Sequence, residues 1–311
     1  MNGTCMRRSP LLKIAAIIFA LAVMATACGD DEPDNSSASG DTKSGPTIKI
    51  RGQDFSGSIT LAQVYGQYLE AKGYDVEILT PAGFRTEALD AIKNGDVDLI
   101  IDYIGGDQAA LAPDAPASAD ADTVVSVITQ PIADLGATLL PYSPAIDGDA
   151  LVVRSDSPAK KISDVAGLDY VFGGASECFE RPQCYLGLTD PNVYGITFKD
   201  TKTIEFGPLL GEALKAKEVD MVMWGSTAPE LTSGDFKVLE DDKGMLPPQN
   251  IAPIVRNDIL EAYPDLAKDL DELSKMITTD DLIAWNISTD IEKQEADDVA
   301  EEWLKSKDLL S

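Results

Sequence analysis

The sequence predicts an α/β protein with two lobes, each built on a largely parallel sheet. From residue 47 onward, short apolar runs alternate with amphipathic stretches, as in sheets covered by helices. The run VDLIIDY at 97–103 is almost continuously apolar, which is typical of a buried parallel strand. The pattern EAL…VDLI at 87–100 returns as EAL…VDMV at 212–222, each time as a helix that leads into a strand. This echo favours two lobes of similar construction; the alternative is a chance likeness between two helix–strand units.

The predicted elements follow this alternation in chain order. In the first half we expect strands at 48–50, 74–79, 97–103 and 137–142, and helices from Ser56 or Ser58 to 72, at 86–93 and at 123–135. Residues 108–121, rich in Ala, Pro and Asp, are predicted to form a loop. In the second half we expect strands at 150–153, 170–172, 203–206, 219–223, 236–239 and 251–255, and helices at 162–166, 209–216, 263–276, 280–286 and 290–305.

Composition excludes several classes of function. The 311 residues include 25 Lys and Arg against 53 Asp and Glu, a formal net charge of −28. So acidic a chain lacks the basic face that nucleic acids or anionic lipid surfaces require. Histidine is absent, which removes the Ser-His-Asp triad, Cys-His nucleophile pairs and the common zinc sites. We therefore predict a binding protein that is not an enzyme and has no cofactor or metal site.

The N-terminus has the features of an export signal. Arg7, Arg8 and Lys13 precede 14 uncharged residues at 14–27, too few to span a membrane as a helix. The following Ala25-Thr26-Ala27-Cys28-Gly29 resembles a bacterial lipobox, which predicts a signal peptide at 1–27 and lipidation of Cys28. The alternative is an ordinary signal peptide beside a free cysteine. Residues 28–46, rich in Gly, Ser and Asp, are predicted to be a flexible tether to the outer face of the cell membrane.

Two cysteines remain in the exported part of the chain. Cys178 and Cys184 stand six positions apart, and export places them in an oxidising compartment. A local disulfide is the prediction. Two free thiols or a soft metal site are the alternatives, although two cysteines without histidine make a poor zinc site.

Several segments of the chain resemble one family. They are IKIRGQDFSGSITLAQVYGQYLEAKGYDVE, TEALDAIKNGDVDLIIDYIGG, VLEDDKGMLPPQNIAPIVR and NDILEAYPDLAKDLDELSKMI. Through them residues 47–310 resemble the extracytoplasmic substrate-binding proteins of ABC importers for glycine betaine, choline and related quaternary amines. The resemblance implies a type II periplasmic-binding fold, whose hinge the chain would cross near 142–147 and 248–253. The implied division is a first part of lobe 1 at 47–143, lobe 2 at 144–250 and the rest of lobe 1 at 251–311.

The resemblance also implies a ligand site. A quaternary ammonium ion has no N–H to donate, so an aromatic cage holds it by cation–π contacts, while charged donors hold a carboxylate. By position, Tyr103 matches a cage tyrosine, Arg181 a carboxylate-binding arginine and Trp224, or else Gly225, a further cage residue. Alternatively, Tyr103 and Trp224 could be packed core residues, and Arg181 could form a local ion pair.

Other positions depart from the family pattern. Gln53 stands where a lysine is common, Gly106 where a hydroxyl residue is common, and Asp149 and Gln249 where cage tyrosines are expected. Most of the cage is therefore missing. We hypothesise a pocket that still accepts a cation, with Asp149, unless it is only a solvated turn residue, supplying negative charge. Such a pocket favours a larger cation or one that donates hydrogen bonds.

The function implied is capture of a solute for import. A lipid-anchored receptor would close around its ligand and deliver it to a membrane permease driven by an ATPase. Its partners would be the ligand, the permease with its ATPase, and the membrane through the anchor alone. Alternatives are a receptor for a different cationic ligand, a ligand-sensing lipoprotein without transport, and an enzyme on the same fold.

Overall fold

The computed structural model describes residues 42–116 and 118–310. The predicted signal peptide, Cys28 and the tether up to residue 41 lie outside the described residues. Within these two ranges, no helix is both long enough and apolar enough to cross a membrane.

Ten strands and ten α-helices make up the regular structure of the described residues. The strands are β1 (Ile48–Ile50), β2 (Val76–Ile78), β3 (Leu99–Tyr103), β4 (Ala137–Leu139), β5 (Asp149–Arg154), β6 (Val171–Gly174), β7 (Asp200–Thr203), β8 (Met221–Gly225), β9 (Phe236–Val238) and β10 (Ile251–Arg256). The helices are α1 (Ser56–Ala71), α2 (Arg85–Asn94), α3 (Ile104–Leu111), α4 (Ala121–Asp134), α5 (Tyr185–Thr189), α6 (Pro208–Lys215), α7 (Asn257–Ala262), α8 (Leu266–Ser274), α9 (Thr279–Asn286) and α10 (Ala296–Ser306). Short 3₁₀ turns cover Ile162–Val165, Ser176–Glu180 and Pro229–Ser233, and a π turn covers Ile287–Ile291.

The strands form two five-stranded sheets of the same design. The first has the order β2-β1-β3-β10-β4, in which β1 is parallel to β2 and β3, and β10 is antiparallel to both its neighbours. The second has the order β7-β6-β8-β5-β9, in which β6 is parallel to β7 and β8, and β5 is antiparallel to both its neighbours. We call the parts built on the first and second sheets lobe 1 and lobe 2.

Each sheet is covered on both faces, which explains the continuous apolar runs of its central strands. Successive residues of β3 alternate between two cores: Leu99 and Ile101 pack with α1, whereas Ile100 packs with α2 and α4. In β8, Met221 and Met223 face one core of lobe 2, whereas Val222 and Trp224 face the core under α6. All five residues of β3 are buried, including Asp102.

The sequence echo corresponds to a repeated structural device. Asp98, before β3, accepts a hydrogen bond from the Lys49 amide of β1 at 2.9 Å and pairs with Arg256 at the end of β10 (3.4 Å). Asp220, before β8, accepts one from the Val171 amide of β6 at 3.0 Å and pairs with Arg154 at the end of β5 (2.9 Å). The same aspartate and arginine thus join the same three strands in each lobe, so the echo is not a chance likeness.

The chain passes between the lobes at two adjacent places. The first crossing leads into β5 and the second into β10. They pair through an isolated antiparallel bridge between Ile146 and Asn250, and the Asp147 amide donates to the Gln249 carbonyl at 3.1 Å. Both antiparallel strands therefore start from one narrow hinge.

Some predicted elements differ from those observed. Residues 108–121 were expected to be a loop, but α3 runs to Leu111, because its buried face is held by contacts with α4 and with β3 rather than by an apolar pattern of its own. The strand expected at 203–206 lies instead at Asp200–Thr203 on the sheet edge, where all four residues are exposed. The helix expected from residue 290 begins at Ala296, after the π turn.

The predicted disulfide is confirmed. Cys178 and Cys184 are bonded, with their Cα atoms 5.3 Å apart. Both residues are buried beside an aromatic cluster in lobe 2, in which the Phe172 ring lies 5.9 Å from that of Phe179. The bond joins a 3₁₀ turn to the start of α5 and leaves neither thiol available for chemistry.

Candidate functional site

A cavity of about 920 Å³ lies between the lobes, beside the hinge. Residues of both lobes line it, as expected for a site outside the carboxyl ends of strands. All six side chains that the sequence analysis assigned to a ligand are on its wall: Gln53, Tyr103, Asp149, Arg181, Trp224 and Gln249. The structure therefore brings the six side chains together around one cavity. Their individual contacts differ from the roles that the sequence analysis gave them.

Tyr103 ends β3 and forms part of the wall on lobe 1. Only 4% of its surface is exposed, and its ring centroid lies 6.1 Å from that of Phe55. Its buried hydroxyl lies beside the Asp147 carboxylate, although the contact falls outside normal hydrogen-bond geometry. Burial raises the pKa of this hydroxyl well above its usual value, and the negative charges of Asp147 and Asp102 raise it further. The cavity thus has a largely buried aromatic wall whose hydroxyl lies next to a carboxylate.

Asp147 is a wall residue that the sequence analysis placed only in the hinge. Its half-buried carboxylate accepts a hydrogen bond from the Thr227 hydroxyl at 2.6 Å, and Thr227 in turn accepts one from the Asn286 amide at 3.1 Å. Burial raises the Asp147 pKa, while the bond from Thr227 acts against that rise. Among the described residues no cation pairs with Asp147. It is therefore a negative group of the wall whose charge no neighbouring side chain offsets.

Asp149, the residue expected to supply negative charge, is engaged differently. It begins β5 opposite Gly225 of β8, and its carboxylate forms an ion pair with the Arg181 guanidinium. The side chains are 28% and 35% exposed, so both reach the cavity. Because each neutralises the other, this pair contributes polarity to lobe 2 but little net charge.

A buried ionic cluster forms the floor of the cavity in lobe 1. Arg85 donates to one oxygen of Asp102 through Nε at 3.1 Å and Nη2 at 2.9 Å, and its Nε lies 3.4 Å from Asp107. Both carboxylates are fully buried. Gln53 donates to the same Asp102 oxygen at 3.0 Å. Burial and then the charge of Asp102 raise the Asp107 pKa well above its usual value, although Arg85 opposes the rise.

A tight loop brings Gln53 to this floor. The Ser58 hydroxyl, which the sequence suggested as a helix cap, instead accepts a hydrogen bond from the backbone N–H of Gln53 at 2.9 Å. A side chain at Gly52 would have its Cβ 2.5 Å from the Ser58 carbonyl oxygen, so glycine is required there. Gln53 is 5% exposed and serves chiefly to hold Asp102 in place.

Trp224 and Gln249 contribute mainly through packing and positioning. Trp224 is 2% exposed and packs edge-to-face on Phe236 at 5.6 Å, so most of its ring belongs to the core under α6. Gln249 accepts a hydrogen bond from the Gly106 amide at 3.0 Å through its side-chain oxygen. This bond joins the second hinge crossing to the start of α3.

Three aromatic residues on the wall were missed by sequence reasoning. They are Phe55, Phe84 and Phe206. Phe84 is 61% exposed and Phe206 56% exposed, from lobe 1 and lobe 2 respectively. The tip of the Phe206 ring lies 3.7 Å from where a Cβ of Gly225 would be. An aromatic ring therefore stands beside the glycine that occupies an expected cage position. No periodic pattern marks such loop residues, although an exposed phenylalanine near a strand end was a usable signal.

Comparison with known proteins agrees with this architecture. Residues 46–306 match the family model described as the substrate binding domain of ABC-type glycine betaine transport systems. A glycine-betaine-binding protein of Pseudomonas aeruginosa is 26% identical over 280 residues, which cover 85% of this chain and 89% of that protein. The carnitine transport binding protein OpuCC of Listeria monocytogenes is 24% identical over 280 residues, covering 85% and 88%.

A solved structure shares the fold. The crystal structure of a glycine betaine/carnitine/choline ABC transporter matches with a TM-score of 0.76 and 23% identity, over 85% of this chain and 100% of that one. The predicted two-lobed α/β fold is thereby confirmed. The family resemblance is confirmed by the family model. The chain belongs to the family of substrate-binding domains of ABC-type glycine betaine transport systems.

Proposed function

We propose that this protein is a lipid-anchored receptor that captures a small quaternary amine or related compatible solute and delivers it to the permease of an ABC importer. The observation that supports this most is the cavity of about 920 Å³, which takes its walls from both lobes and combines aromatic rings with the carboxylate of Asp147. Rings bind the face of a cationic head group, and a carboxylate adds charge attraction.

Ligand binding and closure are coupled in this proposal. A ligand that touches Tyr103 of lobe 1 and Phe206 of lobe 2 stabilises whichever arrangement of the lobes lets it contact both. The two crossings pair at Ile146 and Asn250, so a bend there would turn one sheet relative to the other. The permease would then recognise the ligand-bound arrangement.

The proposal is tested by thermal shift and calorimetric titration. The panel contains glycine betaine, carnitine and choline, with a polyamine as a cation that donates hydrogen bonds. A ligand at 100 times its Kd stabilises the folded protein by about 2.7 kcal/mol, so at least one quaternary amine is expected to raise the Tm by several degrees. Indifference to every member would contradict the proposal.

A cation that donates hydrogen bonds is the second candidate ligand, because the Asp147 carboxylate lines the cavity and has no cationic partner among the described residues. In the same titrations, a strong response to the polyamine with none to the quaternary amines would favour it.

The lipid anchor has its own test. Replacing Cys28 with Ala is expected to release the protein from the membrane fraction, because the acylated thiol is its proposed attachment. Cell fractionation followed by detergent phase partitioning measures this. Cys5→Ala is the matched control, since Cys5 would leave with the signal peptide and the variant should stay in the membrane fraction. Retention of Cys28→Ala in the membrane would contradict lipidation at this residue.

A further inference from the structure

A pair of hydrogen bonds joins the two lobes directly beside the cavity. Asn286 is the last residue of α9 in lobe 1, and its side-chain Nδ2 donates to the Thr227 hydroxyl at 3.1 Å and to the Thr227 carbonyl at 3.3 Å. Thr227 follows β8 in lobe 2, and both residues line the cavity. The ion pairs of the cavity floor and of Asp149 with Arg181 each lie within one lobe. Asn286 therefore links the lobes where those charged groups do not.

Thr227 extends this link to Asp147. A hydroxyl group has one hydrogen to donate, and Thr227 donates it to the Asp147 Oδ1 at 2.6 Å. The same hydroxyl oxygen accepts from Asn286. The bonds run in one direction, from amide to hydroxyl to carboxylate, and hydrogen bonds in such a chain polarise and strengthen one another. We call Asn286, Thr227 and Asp147 the interlobe relay. It ends at a carboxylate of the cavity wall.

The two ends of the interlobe relay belong to different lobes. At the amide end, the neighbouring Trp285 is buried in the core of lobe 1 and fixes the end of α9 there. At the carboxylate end, the Gly148 N–H donates to the Ser226 hydroxyl at 3.0 Å, and the Ser226 N–H donates to the Gly148 carbonyl at 2.7 Å. These bonds tie the residue after the aspartate to the residue before the threonine. The carboxylate end therefore moves with lobe 2, and the amide end moves with lobe 1.

The interlobe relay depends on how the lobes are arranged. A Cβ on Gly57 of α1 would lie 3.4 Å from the Asn286 Oδ1 and 3.8 Å from the Asp147 Oδ2, so the amide and the carboxylate face the same point of lobe 1. A hydrogen bond weakens steeply as its angle falls toward about 120° and is lost by about 3.6 Å. Rotation of one lobe against the other would break the bonds of Asn286 and leave the bond between Thr227 and Asp147 intact.

We propose that Asn286 is a positioning residue, which stabilises the described arrangement of the lobes and, through Thr227, holds the Asp147 carboxylate at the cavity. The inference rests on the proposed function and adds to it the contact that couples rotation of the lobes to the wall of the site. A ligand that selects this arrangement benefits from bonds that are already formed. Loss of those bonds reduces the population that is competent to bind, and the apparent affinity falls by the same factor.

The test first measures the arrangement of the lobes without ligand. Spin labels on Lys93→Cys in lobe 1 and Glu212→Cys in lobe 2, two exposed positions that do not line the cavity, report the interlobe distance by electron paramagnetic resonance. The full exported chain carries Cys28→Ala, so that the introduced thiols are the ones labelled. Asn286→Ala is expected to raise the population with a different distance about 3–10-fold, the value of one neutral hydrogen bond. Asn286→Asp, which keeps the size but cannot donate, should have the same effect.

Thr289→Ala is the matched control, because the Thr289 hydroxyl donates to the Trp285 carbonyl at 3.0 Å within lobe 1 and its loss should leave the interlobe distances unchanged. Calorimetry with glycine betaine, carnitine and choline should show binding about 3–10-fold weaker in Asn286→Ala and unchanged in the control. Unchanged distances in both Asn286 variants would overturn the proposal, whether or not affinity falls, since a fall alone would mark Asn286 as a ligand contact. Failure of the unmodified protein to bind any of the three would contradict the proposed function alone, because the ligand-free distances still decide on the interlobe relay.

Discussion

Replacing Asp102 with Asn is expected to lower the free energy of unfolding by about 3 kcal/mol, the low end of the cost of breaking a buried ion pair from one side. The carboxylate is fully buried and accepts from Arg85, Gln53 and the Tyr103 amide. Asparagine keeps the shape but removes the charge that stabilises the guanidinium. Urea denaturation at pH 7 measures the change.

Asp107→Asn is the matched variant and should raise the free energy of unfolding rather than lower it. Asp107 is equally buried, but neither of its oxygens makes a hydrogen bond among the described residues. An amide at this position carries no charge and can donate to the unpartnered oxygen of Asp102. We expect a gain of about 1–2 kcal/mol at pH 7, because removing the repulsion between two buried carboxylates outweighs the loss of the 3.4 Å pairing of Asp107 with Arg85. Equal destabilisation by both variants would contradict the unequal roles assigned to the two carboxylates.

The pH dependence of stability should separate the two variants further. The raised pKa of Asp107 means that the folded protein retains a proton that the unfolded chain releases above about pH 4. The stabilisation of the folded state by this retained proton is complete below that pH and is lost as the pH rises toward the raised pKa. The stability gain of Asp107→Asn over the unmodified protein should therefore grow with pH over this interval. A gain that is constant with pH would show that Asp107 is ionised in the folded state.

Trp224→Ala is expected to lower the free energy of unfolding by about 3–5 kcal/mol, the usual cost of deleting a buried aromatic ring. Its ring is 2% exposed and is enclosed by Phe236 and α6. Phe206→Ala is the matched comparison: Phe206 is 56% exposed, so the stability change should stay within about 0.5 kcal/mol.

Of these two variants, Trp224→Ala should have the larger effect on stability, whereas Phe206→Ala should have the larger effect on ligand affinity. Phe206 stands at the cavity wall beside Gly225, so its removal is expected to weaken binding of a quaternary amine by about fivefold, the value of one exposed cation–π contact. Titration at a temperature where both variants are folded gives the comparison. A marked loss of stability in Phe206→Ala without a change in affinity would contradict the assignment of this ring to the site.

The fold was largely predictable because its central strands carry strong signals. The apolar run before Tyr103 marks β3, and the echo marks the unit of α6 and β8. The edge strand β7 gave no such signal, since its four residues are all exposed and its position is set by pairing with β6. Helix α3 was hidden because it buries the polar residues Asp107 and Gln108, and its last residues fall in the Ala-, Pro- and Asp-rich stretch 108–121 that was predicted to be a loop.

The site was predictable only in part, for a related reason. Family resemblance located Tyr103 and Asp149, but partners come from tertiary structure: Arg181 meets Asp149 from 32 residues away. The position of Arg85 in the floor of the cavity depends on the absence of a side chain at Gly106, which no pattern in the sequence reveals. Asp147 was placed in the hinge, and only the folded structure shows that it lines the cavity.

The ion pair between Asp220 and Arg154 in lobe 2, and its counterpart between Asp98 and Arg256 in lobe 1, restrict how the strands can move. Arg154 anchors the far end of β5 and Arg256 the far end of β10, so neither strand can slide along its sheet when the lobes rotate. If the lobes rotate as the proposed function requires, bending is expected in the few residues around Ile146 and Asn250. Asp147 sits inside that flexing stretch and also borders the guest. The proposed function thus places a carboxylate of the cavity wall on the segment that joins the two lobes.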